Sequence, residues 1–292
     1  MKLLSTVLSS LRAGILLILL FLSASVQAQL RGDSFAEAKA KGSATVTFSY
    51  IETPGFAMNQ AGKVSGFCVE IMNEFAKWLQ KEEGIVLNPV YFDKDSKDFA
   101  KFMNSIKGSS GGVFGLGNIT ITEERKNSYN FSPPFITNVA ILMTNKSVPN
   151  LNSLEDIASG FSGMTLVAVR GTLNERRLLA LSEKYYPGVN VKYVASIPEA
   201  LQEVAHNEKA FTELDFTYYL EALSKRMPVK RHPVGDEDSE KFGIIMPKNS
   251  DWAPVMARFM NSGFVGSTEY RKLIVDHMGP HALKLLDAVS NN

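Results

Sequence analysis

Gly117-Asn118-Ile119-Thr120-Ile121-Thr122-Glu123-Glu124-Arg125 brings two hydroxyls, an amide and a guanidinium close together, and Phe131-Ser132-Pro133-Pro134-Phe135 follows six residues after Arg125. Such a group can hold a carboxylate, because the planar fork of an arginine matches both carboxylate oxygens. Thr122 reads as a helix N-cap with Glu123 and Glu124 in the first turn, where the positive end of the helix dipole favours acids. Spacing alone equally allows a solvated Arg125 that balances the two glutamates. Asp215 ends the β-patterned run Ala210 to Leu214, at the carboxyl edge where open α/β sheets take ligands. It also reads as the N-cap of the helix that follows.

Other chemistries find little support. His277 and His281 have helical spacing, but Gly279-Pro280 between them breaks a helix, and His206 and His232 have no ligand partners near in sequence. The glycines of Gly108 to Gly117 lack the lysine and hydroxyl of a phosphate loop. No serine sits in a nucleophile elbow, and the single cysteine, Cys68, lies in an apolar run where it reads as a small buried hydrophobe. Glu123 and Glu124 are adjacent and point different ways, which makes a poor acid/base pair. Neither a metal, a cofactor nor catalysis is expected.

The elements that must position these groups alternate in type. Ala44 to Tyr50 is β-rich, Asn59 to Lys63 carries hairpin-turn residues, and Cys68, Met72, Phe75, Ala76 and Leu79 recur at helical spacing. Val90 to Phe92 reads as a strand, and Phe99, Phe102, Met103 and Ile106 mark a helix before the glycine-rich segment. A second series begins with Val139 to Met143. In it Ser153 caps a short helix with Asp156 three residues on, Thr165 to Val169 is a strand, and Asn174 to Tyr185 is a helix. Val191 to Val194, a helix with Ala200, Leu201 and Val204, Ala210 to Leu214, and a helix with Tyr219 and Leu223 complete it. The order βαβα implies largely parallel sheets covered by helices. The polar stretch Arg231 to Lys241 reads as a separator before a third set: a strand over Phe242 to Met246 and helices around Met256 to Met260 and Tyr270 to Ile274. Too small to bury itself, this set is expected to return to the first lobe.

The N-terminus gives the setting. Lys2 and Arg12 flank a start region, Ala13 to Leu22 is almost wholly apolar, and Val26-Gln27-Ala28 offers a peptidase site. That run falls short of the roughly 20 residues a membrane span needs, so residues 1–28 read as a cleaved export signal and the mature protein as soluble outside the cytoplasmic membrane. Cys68 is far from the cleavage site, which excludes a lipid-modified N-terminal cysteine, and no disulfide is available. Lys2 and Arg12 account for two of the 31 basic residues, which leaves 29 against 30 acidic ones. This balance gives no support to nucleic-acid or anionic-lipid binding.

In chain order, Gly66-Phe67-Cys68-Val69-Glu70, Ile119 to Arg125, Phe131 to Phe135, Arg170-Gly171-Thr172, Asp215 with Tyr218-Tyr219, and Phe242-Gly243-Ile244-Ile245 resemble the family 3 extracellular solute-binding proteins. The resemblance runs from about Thr45 to Gly279. It implies a periplasmic-binding-protein-like α/β fold of type II topology, two lobes joined by crossings near Ile136 and Phe242 that close over a ligand like a Venus flytrap. Lobe I would then be residues 29–136 plus 243–292, and lobe II residues 137–242. It further implies a monomer that binds a small polar solute, an amino acid, for an ABC permease. Arg125, with Thr120, Asn118 and Thr172, would take the ligand carboxylate and its surroundings, and Asp215 the α-amino group. An unpaired charge in a closed cleft is costly, so a zwitterion needs both partners.

Tyr50-Ile51-Glu52-Thr53-Pro54-Gly55-Phe56 departs from the family pattern. Thr53 stands where an aromatic cover is usual, unless Tyr50 turns in to replace it. Glu52 facing the ligand would favour a basic or polar amino acid. Phe99 matches the second aromatic wall in place and reads equally as a helix-face core residue. The fold also resembles periplasmic cyclohexadienyl dehydratases, so an enzyme on this scaffold is the alternative, and an orphan soluble receptor a further one.

Overall fold

A computed structural model describes residues 29–290, so the export segment lies outside the described residues. The chain runs α1 (Phe35–Lys41), β1 (Ser43–Tyr50), β2 (Met58–Gln60), β3 (Lys63–Ser65), α2 (Phe67–Glu83), β4 (Val86–Phe92), α3 (Phe99–Lys107), β5 (Val113–Leu116), α4 (Glu123–Lys126) and β6 (Tyr129–Phe131). A second series follows: β7 (Ile136–Asn145), α5 (Ile157–Gly160), β8 (Thr165–Val169), α6 (Leu173–Tyr185), β9 (Asn190–Val194), α7 (Ile197–His206), β10 (Ala210–Asp215), α8 (Phe216–Ser224), β11 (Val229–Arg231) and β12 (Glu237–Phe242). The chain then forms β13 (Ile245–Pro247), α9 (Ala253–Phe259), α10 (Thr268–Met278) and α11 (Pro280–Ser290).

Two α/β lobes result. The first sheet has the order β4-β1-β5-β13-β6, with β1 parallel to β4 and β5, and β13 antiparallel to β5 and β6. In the second, β11-β7-β10-β8-β9, β8 runs parallel to β9 and β10 while β7 is antiparallel to β10 and also pairs β12. Insertion of β13 between β5 and β6 brings the C-terminal segment back to the first lobe. The two strands that cross between the sheets lie side by side, with Ile136 opposite Phe242 and Asn138 opposite Glu240.

Apolar burial explains this arrangement. In the first lobe Trp252 is fully buried against Phe35, Phe75 and Phe114, and its indole N–H donates to the Asp33 carbonyl at 2.9 Å. In the second, Phe161 and Phe211 pack at 5.1 Å with Leu142, Leu166 and Leu178 around them. Phe56 joins the lobes, with ring centroids 6.2 Å from Phe135, 5.7 Å from Phe242 and 6.5 Å from Phe216. Helix α11 packs on α8 and β7, which reinforces the same junction.

Several expectations need correction. The stretch Arg231 to Lys241 is no bare separator: it completes β11 and supplies most of β12. The strand expected over Phe242 to Met246 is broken: β12 ends at Phe242, the Ile244 N–H bonds the Ser132 hydroxyl at 3.0 Å, and β13 begins at Ile245. Ser153 caps a 3-10 turn, with Glu155 rather than Asp156 as its partner. Helices α1 and α11 were not anticipated. No helix among the described residues is long and apolar enough to cross a membrane.

Candidate functional site

The cleft is built where β5 ends. Gly117 has φ +147°, and a Cβ there would sit 2.5 Å from Ile51, so only glycine makes this exit. Beneath it the Cys68 thiol donates to the Gly117 carbonyl at 3.6 Å, and burial pushes the thiol up to about 12, which keeps it protonated and unreactive. Thr120 then pairs with Phe242 of β12, and the Thr122 hydroxyl accepts the Arg125 N–H at 3.1 Å as the cap of α4.

These constraints aim Arg125 into the cleft. Its guanidinium donates to the Thr120 carbonyl at 2.9 Å and lies 5.4 Å from the centre of the Phe99 ring. The two neighbouring glutamates are used elsewhere: Glu123 pairs with Lys126 at 2.6 Å and Glu124 reaches Arg176 of the other lobe at 3.1 Å. Among the described residues none pairs with Arg125. Burial, then the nearby Arg176, lower its pKa, so the site works against its charge and an incoming anion would relieve that tension. The reading of Arg125 as a partner of its own glutamates therefore fails.

The facing wall comes from the second lobe. Thr172 caps α6: its hydroxyl accepts the Glu175 N–H at 3.2 Å and donates to the Val169 carbonyl at 2.7 Å. Asp215 holds the N-cap position of α8 without capping it. Instead it accepts from Asn118 across the cleft, from Asn138 at 2.8 Å and from Asn174 at 3.5 Å, and Arg177 stands 3.7 Å away. Asn118 in turn accepts from the Thr53 hydroxyl at 2.8 Å. Asp215 is thus a held carboxylate rather than an isolated one, and burial is the first cause that raises its pKa.

Between the walls lies a cavity of about 330 Å³, a size suited to a small solute. Arg125, Thr120, Asn118, Phe99 and Glu52 line it from the first lobe, and Thr172 and Asp215 from the second. Tyr50 does not line it. Its strand β1 is paired on both sides, and Tyr50 is fully buried in the core. Thr53 is equally buried and touches the cavity lining through Asn118 and Tyr218 rather than lining it itself. The aromatic surface comes from Phe99 and Tyr218. Sequence reasoning missed Lys97, Asn174 and Ser196 on the lining and, behind Asp215, the group Asn138, Arg177, Glu213 and Glu240. The motif that ends in Thr172, the tyrosine pair 218–219 and the strand-end position of Asp215 pointed toward this wall. No cluster of His, Cys, Asp and Glu among the described residues is arranged to hold a metal ion.

Residues 49–265 match the model of the bacterial extracellular solute-binding proteins, family 3. The chain is 26% identical over 152 residues to the probable amino-acid-binding protein YxeM of Bacillus subtilis (strain 168), a match that spans 52% of this chain and about half, 51%, of that relative. Solved structures agree in fold. An ancestral arginine-binding protein bound to arginine has a TM-score of 0.64 at 22% identity, covering 80% of this chain and 98% of its own. The arginine-, lysine-, histidine-binding protein ArtJ from Geobacillus stearothermophilus gives 0.62 at 19% identity, with 82% and 99% covered. The family model covers most of the described chain, so the protein belongs to the bacterial extracellular solute-binding proteins, family 3.

Proposed function

We propose that this protein is exported to the periplasm through its N-terminal signal, clamps a small polar solute, an amino acid, between its lobes as a monomer, and delivers it to an ABC importer. The observation that carries the reading is Arg125: a half-buried guanidinium, backed by Phe99, with no ion-pair partner among the described residues and its charge disfavoured where it stands. An α-carboxylate satisfies it, and Asp215 on the facing wall receives the α-ammonium. The two lobes would be residues 29–136 with 243–292, and residues 137–242. Relatives named for binding amino acids support this choice of ligand. Glu52 on the lining favours a polar or basic ligand side chain.

Thermal-shift screening of the mature protein against the amino acids, polyamines and small carboxylates tests it. A ligand at a thousandfold excess over Kd adds about 4 kcal/mol of stability, on the order of 10 °C for a chain of this size. At least one amino acid is expected to produce such a shift. Shifts by polyamines alone, or by no compound, would overturn the reading.

A further inference from the structure

Beside the cleft lies a second chamber. Glu52, Ser96 and Lys97 line the cleft from the first lobe and also line a neighbouring space of about 350 Å³, so the two meet along this sill. Backbone contacts fix the sill. The Glu52 N–H donates to the Ser96 carbonyl at 2.7 Å, which ties the end of β1 to the turn after β4, and the Ser96 N–H closes that turn on the Asp93 carbonyl at 3.0 Å. Asp93 and Lys94 of the turn, Asn59 of β2 and Tyr50 complete the lining.

Two observations mark this chamber as a seat for a polar group. The Tyr50 side chain is fully buried, and its hydroxyl lies beside Asn59 and Ser96 yet completes no hydrogen bond with either. Buried polar groups are normally paired, so this one calls for a partner. The groups that act on it, Asn59, Asp93, Glu52 and Ser96, all belong to the chamber lining, which sets the direction of the hydroxyl. Burial, the first cause, raises its pKa and keeps it a donor. The second observation is charge. Glu52, Asp93, Lys94 and Lys97 form no ion pair with one another or with any other described residue. A ligand group of one sign answers only two of these four; a group that carries both signs answers all of them.

We propose that the preferred ligand is an amino acid with two heads, one held by Arg125 and Asp215 and the other, a second carboxylate and ammonium at the far end of its side chain, held in the chamber past Glu52 and Lys97. The idea rests on the amino-acid reading of the cleft and names the class of amino acid. Lys94, Lys97 and the Tyr50 hydroxyl receive the distal carboxylate, and Glu52 and Asp93 the distal ammonium. Asp93, Lys94 and Lys97 are exposed, so each of their contacts is screened and modest alone. Buried Tyr50 and half-buried Glu52 supply the fixed points that orient the head. A side chain that ends in a methyl group would set an apolar end among four charges. One that ends in an amine alone, or an acid alone, would leave the pair of its own sign unanswered.

Isothermal titration of the mature protein with LL-diaminopimelate (both distal charges), L-lysine (amine only), L-aminopimelate (acid only) and L-norleucine (neither) tests this. The two-headed acid should bind at least about tenfold more tightly than any of the others, since several exposed pairs act together and each is worth up to about fivefold. Equal or tighter binding of lysine, aminopimelate or norleucine would overturn the proposal and leave the clamp untouched. If none of the four binds while another amino acid raises Tm, the second head falls and the clamp stands; if no amino acid raises Tm, both fall. The double variant Asp93→Asn, Lys94→Ala on the exposed turn should cut the ratio of diaminopimelate to norleucine affinity about tenfold. An unchanged ratio would overturn the assignment of the chamber; should the variant fail to fold, the wild-type series decides alone.

Discussion

Arg125 and His232 show how single side chains are held against their preferred ionisation, one for a ligand and one for the fold. His232 is buried beside Phe161, its Nδ1 accepts the Leu151 N–H at 3.2 Å, and its Nε2 lies 2.7 Å from the Thr144 hydroxyl. Because that hydroxyl donates onward to the Asn145 carbonyl, the ring is neutral with its proton on Nε2. Burial, then Lys230, push its pKa from 6.5 down to about 4. A histidine whose folded pKa is depressed contributes stability above its unfolded pKa and loses it as pH falls from about 6.5 to about 4, roughly 3 kcal/mol in all. Urea unfolding at pH 7.5 and pH 4 should show this fall, and in His232→Gln the fall should be smaller by about that amount; an unchanged fall would remove His232 as its cause. Arg125, Thr120 and Phe99 were legible in the sequence because a short motif carries them, or because a helix start does. Tyr50 was misread, since sequence pattern does not reveal which strand end is covered on both faces. Arg177, Glu240 and Asn138 were invisible: they lie far apart in sequence and meet only through the pairing of β7 with β12.

At the scale of elements, the exit from β5 decides the geometry of the cleft. Gly117→Ala forces a side chain into positive φ and against Ile51, which should cost about 1–3 kcal/mol and lower Tm by on the order of 2–10 °C. A melting curve at the wild-type Tm would show that the backbone there relaxes freely. The alternation of strands and helices was readable because hydrophobic period switches between the two types. The misses have local causes. Ser34 and Glu37 form a capping box that starts α1, three residues apart and in plain view, but its helix spans seven residues, too few for a clear periodic pattern. The break between β12 and β13 falls where the Ile244 N–H bonds the Ser132 hydroxyl, a long-range contact that no local pattern encodes.

Across the whole molecule, the lobes meet at three levels. Phe56 packs against Phe216 at the junction, Asn118 bonds Asp215 in the cleft, and Glu124 pairs with Arg176 at the mouth. Their weights differ. Phe56 is fully buried, so Phe56→Ala should cost about 3–5 kcal/mol in chemical denaturation, whereas the exposed Glu124 and Arg176 pair is worth at most about 1 kcal/mol. Arg176→Ala should accordingly change ligand affinity less than about fivefold, and a loss beyond that would give the mouth a larger part in closure. The central claim concerns the guanidinium between the lobes. Isothermal titration of the amino acid found by thermal shift, into wild type and into Arg125→Ala with its unliganded Tm preserved, tests it most directly. Loss of a buried partner for the carboxylate should weaken binding by about 2–5 kcal/mol, roughly 30-fold to several thousandfold. Equal affinity in the two proteins would contradict the account.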